Sequence, residues 1–269
     1  NPLPSKVSLE QYCPKRLNQG SQGSGVGWSS SYAARTIQYA QQFGKSPGAV
    51  AFSPSSLYNQ IKLPGCHGAY IQTAMETMKS KGVLPYNDFP YDESTCSNMP
   101  DNSDYSSMAM YKTKGFNRLT QGSSSNSYKV DMNAMRQNLA QGAPVVIGMM
   151  VGGSFMQSMQ GREIWTPSAS DYNMRSFGGH ALCVIGYDDF KDGGSFLLMN
   201  SWGNDWGKDG VAWVNYADFS HFNKEAYGVF PMGDANIKES PILNLEFGIV
   251  NNATKKNINF FINVIFFIK

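Results

Sequence analysis

The spacing of the apolar residues changes near residue 140 of this 269-residue chain. Before that point apolar residues recur at helical intervals, most clearly in "VGWSSSYAARTIQYAQQF" (26–43), which stops at Gly44. After it, short apolar runs are separated by Gly and Asp, as in the strands of a mainly antiparallel sheet. The chain is therefore expected to adopt an α+β fold with a helical first half and a sheet-rich second half.

The same patterns predict individual elements. Helices are expected over 26–43, 53–61, 69–80 and 131–141, and strands within 143–151, 180–189, 195–202 and 210–219. Ser53 and Pro54 are typical residues of a helix start. Residues 98–127 are polar and contain a Ser-rich stretch that is expected to form a loop.

Composition excludes several classes of protein. Hydrophobic residues make up 41% of the chain and charged residues 16%, so the chain can bury a core and is not disordered in bulk. The net charge is +2 and the basic residues are scattered, which predicts neither nucleic acid nor an anionic membrane as a partner. The apolar C-terminal stretch "INFFINVIFFIK" is interrupted by Asn259 and Asn263 and is too short to span a bilayer.

Cysteine and histidine usage argues against a metal site. The chain has four cysteines without a C-x-x-C pair and only three histidines, so no structural zinc site is expected. Cys183 lies in the apolar run "ALCVIGY" and is expected to be a buried small hydrophobe. Cys66 and Cys96 lie in loop-like surroundings and could form a bridge, although four cysteines allow three pairings.

Three separate motifs contain the residue types that thiol catalysis requires. A thiolate is favoured at a helix N-terminus and pairs with an imidazole, which needs an orienting acceptor, while the oxyanion needs donors. The string "NQGSQGSGVGW" (18–28) places Gln19 six residues before position 25, where the predicted long helix starts. "HALCVIGY" supplies His180, and "NSWGNDWG" supplies Asn200.

These motifs, in this order, closely resemble those of the papain-like cysteine peptidases. In that family a Gln-Gly-x-x-Gly-Ser-Cys string enters the central helix, and here "QGSQGSG" puts Gly25 at the cysteine position. The segments "GCHGAY", "GAPVVIGMM" and "GREIWTP" echo three further family motifs, and "NSWGNDWG" matches a fourth without a change. The resemblance covers about residues 3–233 and implies a two-subdomain fold with an active-site cleft between the helical half and the sheet half.

The resemblance also implies a role for each matching residue. Gln19 and the backbone N–H of Gly25 would stabilise the oxyanion, His180 would be the general base, and Asn200 would orient the imidazole. Trp202 would shield the hydrogen bond between His180 and Asn200 from water. The implied substrate-binding residues are Gly68, Ala69, Tyr70, Ile71, Gly148, Gly178, Gly179 and Trp202.

The implied partner is a peptide or protein substrate, which would pair with the backbone of Gly68 as an added strand. Tyr70, Ile71, Gly148 and Gly178 fall where the family builds its main specificity pocket. Because two of these four are glycines, a roomy and mostly apolar pocket is expected. A propeptide or an inhibitor is a further expected occupant of the cleft, and neither a metal nor an organic cofactor is expected.

The chain departs from the family pattern at four positions. Gly25 has no thiol, so this chain is expected to be inactive. Gln22 and Asn59 stand where the family has cysteines that would bridge to Cys66 and Cys96, so each of those bridges has lost one end. Trp28 comes two residues later than the family's tryptophan.

Three functions remain open at this stage. A cysteine peptidase whose nucleophile has been removed is favoured, because the rest of the machinery is present. The alternatives are a natural pseudopeptidase that binds peptides or serves as a scaffold, and a thiol transpeptidase or deamidase. Residues 1–235 are expected to form the peptidase domain and 236–269 a C-terminal extension, either a β-hairpin or the stub of a following domain. A secreted or otherwise extracytoplasmic location is expected from the resemblance.

Overall fold

Helices dominate the first half of the chain and an antiparallel sheet dominates the second, which confirms the predicted α+β class. The structure is a computed structural model that describes residues 2–123, 127–230, 244–247 and 266–267. Only the backbone is described at 121–123, 127–128, 244–247 and 266–267. In the described part of the chain, no helix is both long and apolar enough to cross a membrane.

The longest helix runs from residue 25 to residue 43 and is named the central helix below. It begins as the α-helical turn Gly25–Gly27, widens into the π-helical stretch Trp28–Arg35 and returns to α-helix over Thr36–Phe43. Gly44 ends it with φ 57°, a left-handed conformation that costs glycine little. Every residue from 22 to 38 is buried, so this helix forms the core of the helical half.

The other predicted helices are present, with one change of boundary. They span Pro54–Ile61, Ile71–Ser80 and Met132–Ala140. The Ser53 side chain accepts a hydrogen bond from a backbone N–H in the first turn of Pro54–Ile61, and the Asp131 side chain does the same for Met132–Ala140. The helix predicted over 69–80 begins only at Ile71, because its first two residues form a strand.

The polar region 98–127 is more ordered than the sequence predicts. It contains the helix Asn102–Met108, which Asp101 and Asp104 cap by accepting each other's backbone N–H. Short strands follow this helix. Residues 124–126 of the Ser-rich stretch lie outside the described residues.

The strands of the described part of the chain are named in chain order. They are β1 Lys6–Ser8, β2 Ala69–Tyr70, β3 Gly115–Arg118, β4 Thr120–Ser123, β5 Ser127–Val130, β6 Val145–Val151, β7 Gly178–Asp188, β8 Ser195–Met199, β9 Val211–Asn215, β10 Asn223–Phe230, β11 Asn244–Phe247 and β12 Phe266–Phe267.

The main sheet has the order β3-β10-β6-β7-β8-β9, and β1 pairs with the far end of β7. All of these pairings are antiparallel. The strand predictions for β6, β7 and β8 are confirmed. The run predicted as a strand over 210–219 ends at Asn215, because the Asn215 side chain caps a following helix, Tyr216–Phe222. Strand β10, which lies between β3 and β6, was not predicted.

Two smaller sheets accompany the main one. Strands β4 and β5 form a hairpin, and β12, β11 and β2 form a three-stranded sheet. Strands β11 and β12 fall within the predicted C-terminal extension and pair antiparallel with each other. Residues 248–265, where the turn of the predicted hairpin would fall, lie outside the described residues.

Backbone bonds tie the N-terminal segment to the sheet before the chain enters the central helix. Lys6 lies opposite Asp188 in the β1–β7 pairing. The Gln19 N–H donates to the Ser201 carbonyl at 2.8 Å, and the Gly203 N–H donates to the Leu17 carbonyl at 3.1 Å. Backbone hydrogen bonds therefore attach residues 6–19 to the sheet-rich second half of the chain.

The structure joins Cys66 to Cys96, which confirms that pairing. The two non-cysteine positions compensate for the missing bridges. The Gln22 side-chain amide donates to the carbonyls of Asp92, Glu93 and Thr95, while that of Asn59 donates to the Asn98 carbonyl at 2.9 Å. One disulfide and two amide groups therefore hold the loop around Cys96, where the family pattern predicts two bridges.

Candidate active site

Gly25 is the first residue of the central helix and is buried. Its backbone is helical, so nothing in its torsion angles requires glycine. A Cβ atom built on Gly25 would lie 3.1 Å from both Cε1 and Nδ1 of His180, and 3.4 Å from Oε1 of Gln19. Gln19 and His180 thus both lie next to the place where a side chain of residue 25 would start.

His180 lies near the beginning of β7, opposite Met149 of β6, and is only 1% exposed. Its Nε2 lies 2.8 Å from Oδ1 of Asn200. The Ser201 N–H also donates to that oxygen at 2.8 Å, which fixes the orientation of the Asn200 amide. Because Oδ1 can only accept, Nε2 of His180 carries the ring proton and donates it.

The tautomer leaves Nδ1 of His180 as an acceptor that faces position 25. Complete burial lowers the pKa of His180 from 6.5 to about 4, and the hydrogen bond to Asn200 opposes this shift only in part. In this chain the imidazole is therefore neutral at pH 7. A neutral ring with its lone pair directed at residue 25 has the form that a general base needs.

Trp202 packs flat against the His180 ring, with ring centroids 4.5 Å apart and an interplanar angle of 18°. The Trp202 ring is 4% exposed and contacts Phe155 and Trp206 on its other sides. Trp206 in turn donates its indole N–H to the Phe155 carbonyl at 2.7 Å. The His180–Asn200 pair thus lies against a rigid aromatic cluster that keeps water away.

Gln19 is completely buried, and its side-chain amide is held at both ends. Its Oε1 accepts from the Ser201 hydroxyl at 2.7 Å, and its Nε2 donates to the Gln22 carbonyl at 3.0 Å. Ser201 was not singled out in the sequence, although it lies inside the "NSWG" motif. Through its hydroxyl and its backbone, Ser201 positions both Gln19 and Asn200.

Tyr91 is a second residue that the sequence analysis missed. Its hydroxyl donates to the Gln19 carbonyl at 2.6 Å and is hydrogen-bonded to the Ser24 hydroxyl at 2.9 Å. Its ring packs edge-on against Trp28, with centroids 4.8 Å apart. Tyr91 therefore holds the loop between Gln19 and Gly25 in place, and no short-range pattern in the sequence indicates this contact.

The predicted substrate-binding residues are divided between the two halves of the molecule, and their binding role stays a prediction. Gly68, Ala69, Tyr70 and Ile71 lie on the helical half, while Gly148 of β6 and Gly178 and Gly179 of β7 lie on the sheet half. Gly178 and Gly179 pair with Val151 and Met150 in the β6–β7 register. Trp202 lies beside His180, as described above.

The backbone groups of Gly68 have hydrogen-bond partners within this chain. The Gly68 N–H donates to the Tyr58 hydroxyl at 3.2 Å, and its carbonyl accepts from the Leu63 N–H at 2.8 Å. Both groups are thus used inside the helical half. Pairing of a substrate strand with Gly68 stays a prediction, and in this structure the neighbouring strand Ala69–Tyr70 pairs with β11.

Strand β10 adds a buried polar pair that the sequence analysis did not predict. The Tyr227 hydroxyl donates to Oε1 of Glu225 at 2.8 Å and lies 3.4 Å from Oε1 of Gln72. Glu225 lies opposite Gly148 in the sheet. Polar groups therefore border the predicted specificity pocket, whose roomy and mostly apolar character stays a prediction.

Metal ligands do not cluster around these residues. No group of three or more His, Cys, Asp or Glu side chains is placed to hold a metal ion anywhere in the described ranges. The polar groups that meet at the site are one imidazole, two side-chain amides and backbone N–H groups. This is the donor and acceptor set of an acyl-transfer site rather than of a metal centre.

Comparisons with known proteins agree with this geometry. The family model for "Papain family cysteine protease" matches residues 8–230, and the chain belongs to that family. Xylellain, a cysteine protease from Xylella fastidiosa, has a structure that matches with a TM-score of 0.68 and 25% identity, over 86% of this chain and 87% of that chain.

Two curated relatives show similar levels of identity. An uncharacterized peptidase C1-like protein, L477, of Acanthamoeba polyphaga mimivirus is 27% identical over 73% of this chain and 64% of its own length. Cathepsin K of Mus musculus is 26% identical over 72% of this chain and 54% of its own length. The chain thus spans less than two thirds of the length of either relative.

Proposed function

We propose that this chain is a papain-family protein whose cleft binds extended peptides and which has no hydrolytic activity, because Gly25 stands at the position of the nucleophile. The parent activity is hydrolysis of peptide bonds through a cysteine thiolate and an imidazole. One observation carries the proposal. Nδ1 of His180 lies 3.1 Å from the Cβ position of residue 25, while its Nε2 is held by Asn200.

A cysteine at position 25 would complete an acyl-transfer site. Its Sγ would lose a proton to Nδ1 of His180 and attack the substrate carbonyl carbon. The leaving amine would then take that proton, and water would hydrolyse the thioester. The N–H of residue 25 would stabilise the oxyanion together with Nε2 of Gln19, which in this structure donates to the Gln22 carbonyl, and the start of the central helix would favour the thiolate.

No neighbouring hydroxyl replaces the missing thiol. The Ser24 hydroxyl is bonded to the Tyr91 hydroxyl at 2.9 Å, and the Ser29 hydroxyl donates to the Val26 carbonyl at 3.2 Å. Neither serine is hydrogen-bonded to His180. This supports a chain that binds peptides without forming an acyl-enzyme.

The decisive experiment compares the parent chain with Gly25→Cys on a panel of fluorogenic peptides. Gly25→Cys is expected to cleave, and an alkylating reagent should abolish the activity. Gly25→Ala is the matched control, because it adds the same Cβ without the thiol, and it should stay inactive like the parent. Peptide cleavage by the parent chain would refute the proposal that Gly25 makes it inactive. A folded Gly25→Cys variant that binds peptides but cleaves none would favour the peptide-binding alternative.

The proposal includes the organisation and location of the chain. Residues 1–235 form the peptidase-like domain and 236–269 a C-terminal extension. The family match ends at residue 230, where β10 also ends, and this supports the boundary. The Cys66–Cys96 bridge supports a secreted or otherwise extracytoplasmic location, since disulfides persist mainly in oxidising compartments.

A further inference from the structure

The strand edge of the helical half carries a segment of this same chain. Strand β11 pairs antiparallel with β2, with Glu246 opposite Tyr70 and Phe247 opposite Ala69. An exposed strand edge offers unpaired N–H and C=O groups to any extended chain. Peptide ligands commonly bind proteins by adding a strand to such an edge.

Strand β11 also approaches the opposite wall of the cleft. Its Cα atoms come within 8 Å of those of β7, the strand that carries His180, and of those of the helix Ile71–Ser80. On its second edge β11 pairs with β12, with Leu245 opposite Phe266. The segment therefore lies between the two halves of the molecule, with one edge against the helical half and the other against its own C-terminal strand.

We infer that Asn244–Phe247 is an intramolecular peptide ligand of the cleft. The inference rests on the proposed function only for the role of the cleft, because the β11–β2 pairing is observed directly. Thirteen residues, 231–243, connect β10 to β11. When extended they reach roughly 45 Å, which is sufficient to span a domain of this size.

A ligand tethered in this way competes with any external peptide. Tethering a ligand to its own protein can give it an effective concentration of about 1 mM, so even a weak internal ligand occupies its site for much of the time. The apparent Kd of an external peptide rises by the inverse of the fraction of molecules with a free cleft. If the segment occupies the cleft nine-tenths of the time, external affinity falls about tenfold.

Two substitutions in the full-length chain separate backbone pairing from side-chain effects. Glu246→Pro removes the N–H and restricts the backbone of the paired residue, whereas Glu246→Ala keeps the N–H and loses only the side chain. Hydrogen exchange of the Ala69 and Tyr70 amides is the first readout. Only one of these two adjacent amides can donate to β11, and its exchange should be about tenfold faster in Glu246→Pro than in the parent chain and unchanged in Glu246→Ala.

Binding of a fluorescein-labelled peptide with the sequence LNLEFGIV, copied from residues 243–250, is the second readout. Glu246→Pro should bind this probe about tenfold more tightly than the parent, and the bound probe should restore slow exchange at the one amide of Ala69 and Tyr70 that β11 protects in the parent. Equal exchange and equal affinity in the parent and in both variants would overturn the inference. Circular dichroism of each variant establishes that the fold is retained.

The two proposals can fail separately. Hydrogen exchange does not depend on hydrolysis, so faster exchange in Glu246→Pro supports the internal ligand even if Gly25→Cys cleaves nothing. Conversely, suppose that Gly25→Cys is active and that adding Glu246→Pro changes neither its kcat/KM nor the exchange rates. The internal ligand is then refuted and the peptidase chemistry stands.

Discussion

Protonation of His180 should make the fold pH-sensitive in a defined direction. The pKa of this ring is about 4 in the folded chain, because burial disfavours the imidazolium, against 6.5 in the unfolded chain. Between these two values the unfolded state binds more protons than the folded state. The free energy of unfolding should therefore be highest above pH 6.5, fall as the pH drops towards 4 and level off below it. The loss from this one ring is about 3 kcal/mol.

The measurement is urea denaturation at a series of pH values from 7.5 to 3.5. Many carboxyl groups titrate in the same range, so the parent is compared with His180→Gln, which keeps a polar side chain but cannot titrate. The difference in unfolding free energy between the two proteins isolates the contribution of the ring. It should change by about 3 kcal/mol across the range. A constant difference would refute the assignment of a buried, neutral His180.

Gly25→Cys should raise the pKa of His180, opposite to the effect of burial. A thiolate next to Nδ1 stabilises the imidazolium, so the pKa of His180 should rise above its value in the parent chain. The Cβ would lie 3.1 Å from the ring, so the ring also has to move by a few tenths of an ångström. The His180 Cε1–H resonance, followed by NMR as a function of pH, measures the pKa in both proteins. An unchanged titration would show that residue 25 and the imidazole do not interact.

Three further changes test the scaffold of the site. Asn200→Ala leaves the buried N–H donors of His180 and Ser201 without an acceptor, so the unfolding free energy should fall by about 1–3 kcal/mol; an unchanged urea midpoint would contradict these bonds. Cys66→Ser opens a bridge between residues 30 apart, with an expected loss of about 3 kcal/mol. Dithiothreitol should lower the Tm of the parent but not of this variant. An unchanged Tm of the parent in dithiothreitol would argue against the bridge. Trp202→Ala should cost about 3–5 kcal/mol and Trp202→Phe less, and equal Tm values for the two would mean that the indole packing contributes little.

Local patterns predicted the parts of the fold that depend on local physics. The central helix and strands β6, β7 and β8 follow from apolar spacing, which reports the faces that one element must bury. The helix Pro54–Ile61 follows from the hydroxyl and proline at its start. Gln19, His180 and Asn200 were identified by motifs, and the structure places Gln19 and His180 next to position 25 and Asn200 on the far side of the His180 ring.

The features that were missed depend on partners distant in sequence. Strand β10 reads "NKEAYGVF", without a clean alternation, and it is a strand because β3 and β6 pair with it on both sides. The capacity of Gln22 and Asn59 to replace lost bridges depends on where the Cys96 loop folds back. Tyr91 likewise reaches Ser24 only because of that loop. Composition and periodicity carry no information about such contacts.

The attachment of the N-terminal segment to the sheet affects the order in which the molecule can fold during synthesis. Lys6 and its partner Asp188 are separated by about 180 residues, so at 5–20 residues per second the partner is made roughly 10–40 s later. The bonds between Leu17, Gln19 and residues 201–203 form later still. Position 25 thus leaves the ribosome long before the residues that complete its final surroundings.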